Sequence, residues 1–135
     1  MKTIIIIVYY KGILSILAKQ FYFDGGICKS KNRLDGRIVI ITGANTGIGY
    51  ETALELACRG ARVIIACRDL KKAHASAKII NEKTFSDRVQ VEKIDLASLE
   101  SVREFAARMN EKLDRLDILI NNAGGQNLKL YLLIF

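Results

Sequence analysis

The stretch Ile38-Val39-Ile40-Ile41-Thr42-Gly43-Ala44-Asn45-Thr46-Gly47-Ile48-Gly49 decides how this chain is read. Its unbroken apolar start predicts a strand buried on both faces of a parallel sheet. The glycines at 43, 47 and 49 then form a turn that opens a helix. Such a turn lets backbone N–H groups approach a pyrophosphate and aims a helix N-terminus at its negative charge. A dinucleotide is the expected ligand.

Working outward, the pattern alternates. Residues 37–42 read as the first strand. Residues 47–59 carry Ile48, Ala53, Leu54, Leu56 and Ala57 at helical spacing, and Gly60 stops the helix. Residues 61–67 form a second buried strand, 70–83 a helix, and 88–94 an alternating third strand. Residues 98–113 are helical with Ser98 as N-cap, and 116–121 form a fourth strand around Ile118-Leu119-Ile120. This order predicts an α/β fold, a doubly wound parallel sheet of Rossmann type, with the strand order 3-2-1-4 usual for it.

The end of the second strand bears on the cofactor. An acidic side chain there would bond a ribose 2′-hydroxyl and repel a 2′-phosphate. The chain has Cys67-Arg68-Asp69 instead. Arg68 can meet a 2′-phosphate with two parallel hydrogen bonds and stack on adenine, which favours NADP(H) over NAD(H). An Arg that merely faces solvent at a strand end is the alternative. Asp69 is placed to cap the next helix.

Composition bounds the rest. The 135 residues carry a net charge of +7, are 50% hydrophobic and 26% charged, and fit one modest globular domain with a short appendage. Lys and Arg are interspersed with Asp and Glu, and no aromatic-basic motif of a nucleic-acid module occurs, so nucleic acid is not an expected partner. The excess charge suits a phosphate-bearing cofactor and an anionic membrane surface. Cys28, Cys58 and Cys67 make no Cys-x-x-Cys pair and read as reduced thiols, with Cys58 and Cys67 as small buried hydrophobes. The single His74 has no ligand-spaced partner and reads as a solvated helix residue, so no metal site is expected.

Residues 3–23 are mostly apolar but interrupted by Lys11 and Lys19. They read as a tilted membrane anchor or interfacial helix, with Tyr9, Tyr10, Phe21 and Tyr22 as interface residues. A removed signal peptide is the weaker reading, since no small-x-small cleavage site is evident. An apolar element packed on the domain is the other alternative. Lys29, Lys31, Arg33 and Arg37 follow and place the globular part on the cytosolic side. The expected organisation is an anchor-like segment 1–23, a basic linker 24–36, a partial cofactor domain 37–124 and an apolar tail 125–135.

These motifs resemble the short-chain dehydrogenase/reductase family, and within it the retinol dehydrogenase-like group. Thr42 to Gly49 is similar to the family's Thr-Gly-x-x-x-Gly-x-Gly cofactor turn. Asp95-Leu96 resembles the pair closing the third strand, and Asn121-Asn122-Ala123-Gly124 the family's Asn-Asn-Ala-Gly. Ala61-Arg62-Val63 through Ala66-Cys67-Arg68-Asp69, and Gly26-Ile27-Cys28, are like the retinol dehydrogenases. The resemblance covers about residues 26–124. It implies that Gly43, Asn45, Thr46, Gly47, Ile48 and Gly49 line the pyrophosphate and ribose, and that Arg68 holds the 2′-phosphate. It assigns Asp95 and Leu96 to the adenine, and Asn122, Ala123 and Gly124 to the nicotinamide ribose. Asn121 and Asn122 also have a purely structural reading, securing the backbone between strands, and for Asn121 that reading is favoured. A membrane-associated enzyme at the endoplasmic reticulum, acting on a retinoid or another apolar alcohol or aldehyde, is the implied whole.

The family's chemistry needs a Tyr acid/base whose pKa is lowered by a Lys four residues later, and a Ser that orients the substrate. A free Tyr, at pKa about 10, exchanges protons poorly at neutral pH. No Tyr of this chain has a Lys four positions on; Tyr131 is followed there by Phe135. Residues 125–135 depart from the family pattern and read as an alternative end or as a substitute strand on the fourth. The chain is therefore expected to be a truncated product, inactive by itself and opened along the fourth strand. A non-catalytic nucleotide-binding or interaction protein is the alternative. The sequence sets no oligomeric state.

Overall fold

The computed structural model describes residues 30–124. Seven elements alternate along them: β1 (Ile38–Thr42), α1 (Gly47–Cys58), β2 (Arg62–Cys67), α2 (Leu70–Thr84), β3 (Val89–Lys93), α3 (Leu99–Lys112) and β4 (Ile118–Ile120). All strand pairs are parallel, in the order β3-β2-β1-β4, as the sequence predicts. Residues 1–23 and 125–135, read as an anchor and a tail, lie outside the described residues. Among the described residues, no helix is long and apolar enough to cross a membrane.

The apolar runs explain the layering. Side chains alternate across a strand, so an unbroken apolar strand needs cover on both faces. Val39, Ile41, Val63 and Ile65 join Ala53, Ala57, Ala73, Ala77 and Ile80 in one cluster, under α1 and α2. Ile40, Ile64 and Ala66 face the other way and pack with Ile94, Phe105 and Met109, under α3. The small residues of α1 and α2 let these helices lie close on the sheet. Leu34, ahead of β1, packs against the first cluster, and its N–H donates to Arg59 O at 2.8 Å.

Helix ends follow predicted chemistry in part. Asp69 caps α2, its Oδ1 accepting from Lys72 N at 3.1 Å. Ser98 caps α3, its Oγ accepting from Ser101 N at 3.2 Å. The N-cap position of α1 is Thr46, which makes no side-chain cap.

One expectation about burial needs correction. Cys58 is exposed, because the buried stripe of α1 runs through Gly49, Ala53 and Ala57, and its next position turns away from the sheet. Ile48, an apolar residue of the same helix, is 82% exposed for the same reason. Cys67 is buried and His74 exposed, as read from sequence.

β4 is shorter than the apolar pattern implies, and polar groups take over at both of its ends. At the amino end Asp117 Oδ2 accepts from Ile38 N at 2.8 Å, and Oδ1 from Arg37 Nη1 at 2.7 Å. Arg115 Nε donates to the same carboxylate at 3.2 Å. These donors hold the Asp117 carboxyl down at about 2, the Ile38 N–H most strongly and Arg37 next, while burial works in the opposite direction.

Candidate cofactor site

At the carboxyl end of β4 the lock is uncharged. The buried Thr42 hydroxyl accepts from Asn122 N at 3.1 Å and Ala123 N at 3.0 Å. Asn122 Nδ2 donates to Thr42 O at 3.0 Å and Gly43 O at 3.3 Å. Gly43 N donates in turn to Ala66 O at 2.8 Å, so the ends of three adjacent strands are laced together. Of the two asparagines open to strand-securing, Asn122 does it, and Asn121, the one favoured for it, is exposed. A strand's side chains alternate, and only the second Asn of the pair turns back toward β1.

The glycines fit this lacing. A Cβ at Gly43 would stand 2.8 Å from Ala123 Cα, and one at Gly49 would collide with the Asn122 amide and lie 2.9 Å from Ala44 Cα. Gly47 is different: nothing lies within 4 Å of its Cβ position, yet its φ of +61° suits glycine. Packing demands glycine at 43 and 49, and a positive φ asks for it at 43 (+67°) and 47.

A cleft of about 510 Å³ opens beside this lock, across the carboxyl ends of the strands. It brings together Gly43, Asn45, Arg68, Asp95, Leu96, Ala123 and Gly124, seven residues singled out from sequence. Thr46, Gly47 and Ile48 lie exposed on the turn next to it. Gly49 and Asn122 are not on its wall; they support it from behind. The sequence reading missed Lys72, which lines the cleft one helical turn beyond Arg68. The spacing of four residues was the available signal.

The walls are built from short-range bonds. Asn45 O accepts from Ser76 Oγ of α2 at 2.8 Å, which ties the glycine turn to that helix. Asp95 Oδ1 accepts from Ala97 N at 3.0 Å, and Asp95 N donates to Ser101 Oγ at 3.0 Å, fixing the loop that carries Leu96. Cys67 Sγ donates to Asp69 O at 3.3 Å. Burial, with the Asp69 carboxylate adding to it, pushes the Cys67 thiol up, so it stays protonated and packs as a hydrophobe. The Arg68 guanidinium is exposed and makes no ion pair among the described residues. Among those residues, no group of three or more His, Cys, Asp or Glu is placed to hold a metal.

A parallel sheet with a glycine turn after β1 and a ligand-sized cleft at its carboxyl edge defines a dinucleotide-binding α/β protein. The short chain dehydrogenase family model matches residues 37–132, and the chain belongs to that family. It is similar to retinol dehydrogenase 13 of Homo sapiens, 56% identical over 110 residues that cover 82% of this chain and 33% of that protein. Retinol dehydrogenase 12 of Mus musculus is 46% identical over 123 residues, covering 90% of this chain and 39% of that one. Among solved structures, a short chain dehydrogenase from Shigella flexneri complexed with NADP superposes with a TM-score of 0.64 and 36% identity. It covers 71% of this chain and 41% of its own. The chain thus spans about a third of the length of these curated relatives.

Proposed function

We propose that this chain is the NADP(H)-binding part of a retinol dehydrogenase-like oxidoreductase. The carrying observation is the cleft at the carboxyl edge, with Arg68 on its wall free of any acidic partner among the described residues. In this reading Asn45, Thr46, Gly47 and Ile48 hold the pyrophosphate and ribose through backbone N–H groups, while Gly43 and Gly49 shape the turn that brings them close. The first turn of α1 has no side-chain cap and no acidic residue, so those donors are available. Arg68 binds the 2′-phosphate, Asp95 and Leu96 hold the adenine, and Ala123 and Gly124 flank the nicotinamide ribose, with Asn122 fixing them from behind. The similarity to a short chain dehydrogenase complexed with NADP supports this assignment.

When bound, the nicotinamide supplies a hydride donor or acceptor to an alcohol or carbonyl carbon. The retinol dehydrogenase relatives support a retinoid or another apolar alcohol or aldehyde as the substrate of the whole enzyme. This chain has no Tyr followed by Lys four positions on, so it carries no acid/base pair of the family's kind and does not turn over substrate alone. Residues 1–23 attach it to a membrane, at the endoplasmic reticulum and facing the cytosol.

Calorimetric titration of the full chain with NADPH tests the reading, with NADPH oxidation by retinal followed in parallel. One saturable binding event without turnover is expected. Folded protein that yields no heat would refute the cofactor assignment, and measurable turnover would refute the inactivity.

A further inference from the structure

We infer that the outer edge of β4 is a docking edge for one more strand, and that its occupant is the chain's own apolar segment 128–134, folded back antiparallel. The two outer edges of the sheet are finished differently. Backbone groups alternate between the two sides of a strand. Val63 N donates to Arg88 O, so Val89, Val91 and Lys93 turn their groups outward from β3. The Asn81 amide takes both outward groups of Val89, accepting from its N–H at 3.0 Å and donating to its carbonyl at 3.1 Å. Arg108 Nη2 donates to Lys93 O at 2.7 Å. Side chains thus close β3 against a further strand.

β4 has no such closure. Asp117 N donates to Ile38 O, so Ile118 and Ile120 turn their backbone groups away from β1. Ile120 O accepts from Asn122 N at 3.1 Å. The N–H and carbonyl of Ile118 and the N–H of Ile120 have no partner among the described residues, and no strand of those residues pairs with that side. Leu116 and Leu119 lie exposed beside this edge.

The chain supplies its own occupant. The run Leu128-Lys129-Leu130-Tyr131-Leu132-Leu133-Ile134 follows β4 at a short interval. A parallel neighbour needs a crossover of a dozen or more residues, and the few between Ile120 and Leu128 allow only a reversal. The bonds of Asn122 and Ala123 to Thr42 carry the chain first toward β1. The reversal falls after them, where Gly124 and Gly125 stand. Residues 128, 130, 132 and 134 are apolar and share one face of an extended chain. Set beside Ile118 and Ile120, they extend the cluster under α1 and α2. Lys129 and Tyr131 then fall on the more open face with Leu119, where Tyr131 covers apolar surface and Lys129 reaches water. A tethered strand meets the edge at roughly millimolar effective concentration, which favours it over a second copy.

The test is amide hydrogen exchange and side-chain contacts by NMR on the full chain, with sedimentation giving the oligomeric state. A monomer is expected, with contacts between the methyls of Ile118 and Ile120 and those of Leu128, Leu130 and Leu132. Leu130→Asp should speed exchange of the Ile118 and Ile120 amides at least about tenfold. Unchanged protection of Val63 and Ile65 in that variant verifies that the rest of the sheet persists. Lys129→Glu also adds negative charge, but on the open face, and should leave β4 protection as it is. Fast exchange at Ile118 and Ile120 in the wild-type chain overturns the docking, as does protection that Leu130→Asp leaves intact in a monomer. The wild-type contacts need no variant, and their absence overturns it as well. Protection that grows with protein concentration, together with the mass of a dimer, gives the edge to a second copy and overturns the segment as its occupant.

Discussion

The two edges of the sheet are built from different chemistry. At the amino edge, the Asp35 and Asp117 carboxylates are matched by arginines of the protein itself. Arg33 and Asp35 pair at 2.6 Å, which lowers the Asp35 carboxyl and raises the Arg33 guanidinium. Arg88 stands 3.9 Å from Asp35, and Asp117 lies between Arg37 and Arg115. At the carboxyl edge, the strands are joined by a hydroxyl, an amide and backbone groups, all neutral, and Arg68 is left unmatched. The one ion pair on the cleft wall among the described residues, Lys72 with Asp69, is loose at 3.7 Å, where a tight one would compete with an anionic ligand for the same charges. Neutral hydrogen bonds fix the geometry and leave the field to the ligand.

Charge removal at each edge breaks this comparison most sharply. Arg68→Met deletes a cation that faces the cleft, and should weaken NADPH about ten- to a hundredfold, the worth of a lost charge-assisted pair. Arg88→Met makes the same change at the amino edge and should leave NADPH affinity unaltered. If both variants weaken NADPH alike, overall charge and not position governs binding.

Thr42→Val comes next. It removes the acceptor of Asn122 N–H and Ala123 N–H at a buried site, and should cost about 1–3 kcal/mol by denaturant unfolding. Amide exchange should quicken at Asn122 and Ala123 before it does in β2. A neutral outcome would show that β4 is held by its strand pairing alone.

The smallest effect concerns pH. Asp117 is held at about 2 in the folded chain against an ordinary value of 3.8. A depressed carboxyl stabilises the fold fully above the ordinary value, and that contribution is lost as pH falls through about 2. Wild-type stability should therefore decline across that window more steeply than that of Asp117→Asn, and the Ile38 amide should lose protection with it. Identical acid profiles for the two proteins would remove Asp117 from the account.

Much of this was legible in the chain. The run Ile38 to Ile41 announces a strand covered on both faces because each face needs its own apolar set, and the two clusters divide its side chains in that way. Asp69 and Ser98 announced helix starts because their side chains have the reach to cap. Legibility failed where a neighbour in space decides. The two Asn residues 121 and 122 are chemically identical, and only the register of β4 against β1 tells which one turns inward. Cys58 adjoins Ala57, and one helical step separates burial from exposure. Leu119 is 53% exposed although it sits at the centre of an apolar strand, which the sequence pattern alone does not distinguish from its partner Ile40. Lys72 escaped notice because it reaches the cleft only from the first turn of α2, one turn beyond Arg68.

Backbone amide shifts during an NADPH titration of isotope-labelled protein test the central claim most directly, since they report on both edges at once. The account predicts saturable changes at Gly43, Asn45, Gly47, Arg68 and Asp95, with Arg88, Arg115 and Asp117 unmoved. Shifts centred on the Arg88 and Asp117 side of the sheet, with the glycine turn silent, would contradict it.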